Sequence, residues 1–226
     1  MLSGFDRVAR IYRWAEYVTF GPFLSRARSA HLSDLATAQH ALILGDGDGR
    51  FTRLALRTYP QLHVTAIDIS PQMLSLLQQR CAPCADRLHI IHADVTIFDL
   101  SKIFHPRQSA PDAVVTHFFL DCLTTTQIQT LITQLPTPMR WIVSDFHIPS
   151  GILRPISQAL VRSLYAAFRI LTGLQTQELP DWRQSFRSSG WHLQKQSSVL
   201  RSLLIAETWE RGATLRTSPA SHLSGE

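Results

Sequence analysis

Between residues 41 and 50 the chain reads Ala41-Leu42-Ile43-Leu44-Gly45-Asp46-Gly47-Asp48-Gly49-Arg50. A short apolar run that passes straight into glycines at alternate positions, and then into an amphipathic segment, admits few local structures: a buried strand, a tight turn and a helix. Glycine lets the backbone take positive φ and come close to a ligand, and the helix behind it offers unpaired N–H groups and a positive dipole end. A polar ligand is expected there. A nicotinamide-dinucleotide loop would carry its third glycine at position 50, which is Arg50, and a phosphate loop would need Gly-Lys-Ser/Thr, which the chain lacks. Asp46 and Asp48 would repel a pyrophosphate; they suit a ligand bearing a cationic group.

The alternation of short apolar runs with amphipathic segments continues to residue 146 and predicts repeated βα units on a parallel sheet, an α/β fold. Strands are expected over Ala41 to Gly45, Leu62 to Asp68, Leu88 to His92, Asp112 to Phe118 and Met139 to Phe146, with helices over Arg50 to Tyr59, Pro71 to Arg80 and Thr124 to Leu135. Ser70-Pro71 supplies a cap and a first helical residue, and Thr124 to Thr126 a second start signal. The piece from Thr96 to Gln108 is ambiguous. Ahead of the sheet, 4–18 and 22–38 read as helices parted by Gly21-Pro22. Behind it, Ile152 to Leu171 reads as a long helix with Leu160, Leu164, Phe168 and Leu171 on one face and Gln158, Arg162 and Arg169 on the other. Trp191 to Val199 and Leu203 to Trp209 read as an antiparallel pair, and 211–226 as a flexible tail. A single domain over 1–210 follows.

With 226 residues, 45% of them hydrophobic and 17% charged, the chain can build a full core, which excludes disordered, fibrous and disulfide-stapled classes. Cys81, Cys84 and Cys122 are too few for a disulfide framework and fit a reducing compartment. Cys81-Ala82-Pro83-Cys84 has metal or redox spacing, but no second pair lies nearby, and no metal site is expected. The start lacks the apolar core of a signal peptide, no stretch could span a membrane, and a cytoplasmic protein is expected. The formal charge of +5 is segmental: 1–30 and 151–187 each carry five arginines against two acids, whereas 31–150 holds eight cations and ten acids. No basic run with interleaved aromatics occurs, so nucleic acid is not an expected partner.

The second strand ends Ile67-Asp68-Ile69-Ser70, and a carboxylate at that edge can accept both hydroxyls of a ribose. The third ends Ala93-Asp94-Val95, where Asp94 can accept from an adenine amino group while Ile69 and Met73 pack on the ring faces. The ligand that emerges is adenosine with a charged tail.

These residues resemble the class I methyltransferases that use S-adenosylmethionine, over about residues 41 to 146. The resemblance implies a Rossmann-like seven-stranded sheet of order 3-2-1-4-5-7-6 with the last strand antiparallel, helices on both faces and an N-terminal helical lid. It maps the glycine motif onto Gly45, Gly47 and Gly49, the ribose acid onto Asp68 and the adenine-site acid onto Asp94, with Tyr12, Val95 and Thr116 as further cofactor contacts. Family members often carry an acid two positions before the first glycine; here that position is Ile43, and the methionine amino group is assigned to Asp46. The domain then divides into a lid (1–38), a cofactor core (41–146) and an acceptor-side segment (150–187).

Phe5-Asp6-x-Val8-Ala9-x-x-Tyr12 with Phe20-Gly21 is similar to the N-terminal segment of the ubiquinone and menaquinone C-methyltransferases, as is Asp145-Phe146-His147-Ile148-Pro149, although Arg13 stands where that group has Asp. Methyl transfer is an in-line displacement that needs a base only if the acceptor must lose a proton. His117 and His147, at the ends of strands four and five, are the candidates for a base or substrate-orienting group; Asp121 could orient either histidine or cap the next helix. Apolar and arginine-bearing lids favour a small hydrophobic acceptor that is quinone-like, lipid-like or phenolic, with peripheral membrane contact possible for 152–171. An RNA or protein methyltransferase, and a non-catalytic S-adenosylmethionine-binding protein, are the alternatives.

Overall fold

The computed structural model describes residues 22–103, 110–135, 139–148, 180–200 and 202–211. The expected helix over 4–18, Tyr12, the helix Ile152 to Leu171 and the tail from 212 lie outside them. Seven strands form one sheet of order β3-β2-β1-β4-β5-β7-β6. They are β1 (His40–Leu44), β2 (His63–Asp68), β3 (Leu88–His92), β4 (Ala113–His117), β5 (Met139–Phe146), β6 (His192–Val199) and β7 (Leu204–Arg211). β1 to β5 run parallel, and β7 joins antiparallel to both β5 and β6. The expected order holds, and every strand boundary falls within two residues of its expected place. Arg211, expected in the tail, ends β7.

The parallel strands are apolar on both faces because helices cover both. On one face Ala41, Ile43, Val64, Ala66, Ala113 and Val115 pack under Phe51, Ala55 and Leu56 of helix α2 (Arg50–Thr58) and Leu77 and Cys81 of α3 (Pro71–Cys81). On the other face Leu42, Leu44, Val114, Trp141 and Val143 meet Ile128, Leu131 and Ile132 of α4 (Thr125–Gln134). The same layer holds Trp182 and Phe186 of α5 (Trp182–Ser188), a helix the sequence pattern had absorbed into the segment before β6. Trp141 meets Phe186 at a tilt and Trp191 edge-on, at ring separations of 4.6 and 5.5 Å, and Phe186 meets Trp209 at 5.3 Å, so an aromatic cluster anchors α5 to β5 and β7. β6 is the exposed edge; its polar face, Lys195 and a bulge between Leu193 and Lys195 guard it against pairing with another chain.

The helix expected over 22–38 breaks. Only Pro22–Ser29 is α-helical (α1), and a 3-10 turn follows at Leu32–Leu35. Tertiary bonds cause the break. Thr208 donates its hydroxyl to Asp34 Oδ2 at 2.6 Å and receives His31 Nδ1 at 2.7 Å, while Lys195 pairs with Asp34. Those bonds pull His31 and Asp34 onto β6 and β7 against the local helical preference. In the uncertain piece before β4, Leu100–Ile103 forms a 3-10 turn, and 104–108 lie outside the described residues.

Gly49, the third glycine of the turn, has φ +76° and faces α3: a Cβ there would meet Leu77 Cγ at 2.6 Å and Leu77 Cα at 2.9 Å. Gly49→Ala combines a left-handed backbone with overpacking, and it is expected to lower the unfolding free energy by about 2–4 kcal/mol. Urea denaturation of the variant beside the parent checks this.

Candidate functional site

The carboxyl ends of β1, β2 and β3 lie side by side, and each delivers one aspartate. Asp68 at the end of β2 accepts the Gly47 N–H on Oδ2 at 3.1 Å and the Ser70 N–H on Oδ1 at 2.9 Å. One carboxylate thereby ties the glycine turn to the cap of α3, where Ser70 Oγ accepts the Met73 N–H. Burial pushes the Asp68 carboxyl upward, against the pull of those N–H groups. Asp94, just beyond β3, accepts the Thr96 N–H and hydroxyl on Oδ1 at 2.9 and 2.7 Å. Asp46 accepts the Thr52 N–H and hydroxyl on Oδ2 at 2.9 and 2.6 Å. Burial pushes its carboxyl up to about 6, with the Thr52 bonds and the nearby Arg28 charge opposing the rise. Asp46 and Asp94 thus each anchor one oxygen to the protein, and their other oxygen takes no hydrogen bond from the described residues.

Asp48 does not line the site as the turn's charge pattern suggested. Arg80 Nη2 holds its carboxylate at 2.9 Å and Arg50 Nε at 3.2 Å, and Arg80 Nε also donates to the Asp48 carbonyl at 2.8 Å. Of the two turn aspartates, only Asp46 has a carboxylate left without an arginine salt bridge.

The glycines divide the work. Gly45, Gly47 and Gly49 all have positive φ. Among the described residues a Cβ on Gly47 would touch only Met73 Sδ, at 3.8 Å, so they leave this part of the turn open. Around it Ile69 is 37% exposed, a large apolar side chain at a strand end beside Asp68. Val95 is buried in the core beyond β3, and Thr116 is buried beneath β4, where its Oγ1 accepts the Trp141 indole N–H at 3.0 Å. Any contact of Thr116 with a ligand falls to its backbone.

β4 ends in a strained corner. Phe118 has φ +53°, uncommon for a non-glycine residue, and its N–H bonds the Ser144 carbonyl at 2.7 Å. The corner sends consecutive side chains apart. Phe118 meets Phe146 at 5.3 Å between ring centroids, with the Arg28 guanidinium 5.2 Å above it, in an apolar cluster with Leu24, Ala27, Val199 and Leu203. Phe119 lies on Gly45: a Cβ there would come within 2.3 Å of its ring. Neither Phe119 nor Arg28 was singled out from the sequence; the Phe118-Phe119 doublet after a strand was the available signal.

The two histidines come to the expected strand ends, in settings that restrict them. His117 is buried edge-on against Phe51 of α2 at 4.4 Å, and among the described residues neither ring nitrogen has a hydrogen-bond partner. Burial, then the Arg28 and His31 charges, hold its pKa well below the usual histidine range. His147 Nδ1 lies 3.0 Å from Arg183 Nη1, and because a guanidinium only donates, Nδ1 is the acceptor and the proton sits on Nε2. Its pKa is lowered as well, by burial and then by Arg183. Arg183 also grips the buried Glu207. Asp121 receives the Cys122 thiol at 3.5 Å and donates its own N–H to Asp145 Oδ2 at 3.2 Å, contacts that lead to neither histidine. The cap of α4 comes from Thr124 in a reciprocal box with Gln127, not from Asp121. Asp145 is wholly buried, and burial and then Asp121 raise its pKa well above the usual carboxylate range.

The family model of the methyltransferase domain matches residues 41–137. The chain has the fold of a class I methyltransferase. Among solved structures sharing this methyltransferase fold is the mitomycin 7-O-methyltransferase MmcR, at TM-score 0.63 and 16% identity, covering 91% of this chain and 60% of that one. Magnesium protoporphyrin IX methyltransferase from Synechocystis PCC 6803 with bound SAH matches at TM-score 0.65 and 14% identity, covering 92% and 97%. The N-methyltransferase NodS from Bradyrhizobium japonicum WM9, in complex with S-adenosyl-L-homocysteine, matches at 0.57 and 15%, covering 84% and 88%. The chain spans 60% of the length of MmcR and of an O-methyltransferase family protein from Burkholderia thailandensis. No curated protein sequence matches it. These likenesses do not single out the ubiquinone and menaquinone enzymes.

The folded protein refuses the proton that an unfolded His117 accepts near pH 6.5, so this residue's contribution to stability declines as pH falls through that value. Removing two unsatisfied nitrogens should help the fold. His117→Leu is expected to raise the unfolding free energy by about 1 kcal/mol at pH 7.5, and by more at pH 5.5, as denaturant titrations at the two pH values would read.

Proposed function

We propose that the chain is an enzyme, an S-adenosylmethionine-dependent methyltransferase acting on a small, hydrophobic acceptor. The observation that carries this reading is the row of three aspartates at adjacent strand ends around an open glycine turn: Asp46, Asp68 and Asp94, each pinned by the protein and each with capacity to accept more hydrogen bonds. A nicotinamide dinucleotide is disfavoured by Asp46 and Arg50 in that turn, whereas a nucleoside with a cationic tail fits the donor set.

S-adenosylmethionine supplies an electrophilic methyl group on a sulfonium. Asp68 would accept the ribose hydroxyls and Asp94 the adenine amino group, and Ile69 and Met73 would supply apolar surface for the ring, whereas the Val95 side chain is taken up by the core. Asp46 faces the ammonium group. The acceptor atom forms its bond to the methyl carbon as the carbon–sulfur bond breaks, and that electron pair stays on sulfur. The chain's part is alignment and exclusion of water, worth about 7–11 kcal/mol in favourable cases.

A histidine base finds little support. His117 is buried with neither ring nitrogen partnered among the described residues, and the His147 Nδ1 lone pair is occupied by Arg183, so His147 serves best as an Nε2–H donor that orients an acceptor oxygen. Phe118 and Phe146, half-buried at the ends of β4 and β5 in the cluster under α1, favour an apolar acceptor. A quinone-like acceptor rests on residues 5–21, outside the described residues, and on the run Asp145 to Pro149 at the end of β5. Among the described residues no helix is long and apolar enough to cross a membrane; peripheral contact would involve 152–171, also outside them. MmcR is an O-methyltransferase and NodS an N-methyltransferase, so the fold leaves the acceptor atom open.

Asp68→Ala is expected to abolish S-adenosylmethionine binding in titration calorimetry while the thermal transition is retained; near-normal affinity would overturn the reading. Binding without methyl transfer to any component of a cell extract would instead favour a non-catalytic binding protein. A second expectation concerns pH. As pH falls through about 6 the Asp46 carboxyl takes up a proton and loses its attraction for an ammonium group. Cofactor affinity should therefore weaken below that pH, by at most about tenfold per unit, and Asp46→Asn should bind weakly with no such dependence.

A further inference from the structure

We propose that Arg183 is a positioning residue: fixed by Glu207, it holds His147 as an Nε2–H donor and thereby selects an acceptor oxygen over an amine nitrogen. The inference rests on the methyltransferase reading above and deepens it by naming the acceptor atom. Three elements meet at His147. The residue follows the end of β5, and its backbone N–H bonds the Leu203 carbonyl at 2.9 Å. Arg183 comes from α5 and the buried Glu207 from β7. Glu207 Oε2 accepts the Trp209 indole N–H at 3.0 Å, and Arg183 Nε lies 3.0 and 3.2 Å from the two carboxylate oxygens. The guanidinium also lies 5.2 Å from the Trp182 ring. An ion pair that only tied α5 to β7 would be complete with those contacts, yet Arg183 Nη1 reaches on to His147 Nδ1 at 3.0 Å.

A guanidinium has no lone pair to offer, so Nδ1 accepts and the ring keeps its proton on Nε2. Burial and then the Arg183 charge lower the His147 pKa, with Glu207 opposing them; these are the charged groups among the described residues that act on the ring. His147 thus stays neutral at a pH where a free histidine takes up a proton. It presents a donor and no base. An oxygen suits that donor, because it has one lone pair for Nε2–H and a second for the methyl carbon. The second pair forms the carbon–oxygen bond as the carbon–sulfur pair leaves on sulfur, and a phenol's proton passes to water before that step. A neutral amine has a single lone pair, which Nε2–H would occupy, and an ammonium has none and is repelled by the guanidinium. A hydrogen-bond donor also favours the ionised form of a phenol or a carboxylic acid.

Nitrogen NMR of the full chain reads the tautomer directly, with His147→Gln identifying the signal. The parent should carry the proton on Nε2 and titrate below the ordinary 6.5. The double variant Arg183→Met with Glu207→Gln leaves no buried charge unpaired, and it should mix the two tautomers and titrate at higher pH. Arg183→Lys, whose ammonium also only donates, should restore the parent's pattern. A parent ring protonated on Nδ1, or an unchanged pattern in the double variant, would overturn the positioning role; the parent's signal decides the matter if the double variant fails to fold. Methyl-labelled S-adenosylmethionine, supplied with the chain to a cell extract, tests the acceptor atom. The labelled product should be a methyl ether or ester, formed about tenfold more slowly by the double variant with S-adenosylmethionine affinity unchanged in calorimetry. A labelled N-methyl or C-methyl product would overturn the choice of oxygen and leave the methyltransferase reading standing. No labelled product at all would remove both.

Discussion

One carboxylate holds the candidate site together. Asp68 receives an N–H from the glycine turn after β1 and another from the cap of the helix after β2, so two crossover connections that share no local sequence are joined at the strand tips. A buried carboxylate is costly unless its oxygens are satisfied by donors. Backbone N–H groups meet that need here, and they orient the acid at the edge where β1, β2 and β3 end together. Asp46 and Asp94 repeat the device on a smaller scale, each bound through one oxygen to the residues that follow it.

The sheet supplies the frame for that arrangement by burying both of its faces. Helices α2 and α3 close one side and α4 with α5 the other, and the aromatic cluster of Trp141, Trp182, Phe186, Trp191 and Trp209 locks the antiparallel extension to the parallel core. Rigidity at the tips would matter for the proposed function, because methyl displacement depends on alignment. The strained Phe118 corner belongs to the same economy: it splits two adjacent aromatic side chains between the glycine turn and the apolar cluster under α1, which a relaxed strand end could not do.

Much of this was legible in the residues. Apolar runs followed by Gly, Asp or Ser-Pro marked the five parallel strands and the helices behind them, and Asp68 and Asp94 were recognisable as strand-tip acids from position alone. Histidine chemistry was not legible. A strand such as β4, buried along its whole length, has no alternation of polar and apolar residues to say which face a side chain takes. His117 therefore read as a group at the sheet edge, and only packing reveals that it shares a face with Val115 and ends against Phe51. The broken helix after Ser29 escaped for a related reason, because the bonds from His31 and Asp34 reach more than 160 residues along the chain to β6 and β7.

By itself the sequence determined the βα alternation, the sharp turn at three glycines and the acids at the strand ends, since each follows from local periodicity and backbone sterics. Tertiary structure decided which groups are taken up by the protein itself: Asp48 turned to Arg80, Gly49 to Leu77, His117 to Phe51 and Phe119 to Gly45. Those choices depend on contacts between segments far apart in the chain, where the cost of burying a charge or a ring is settled by partners that no local pattern encodes.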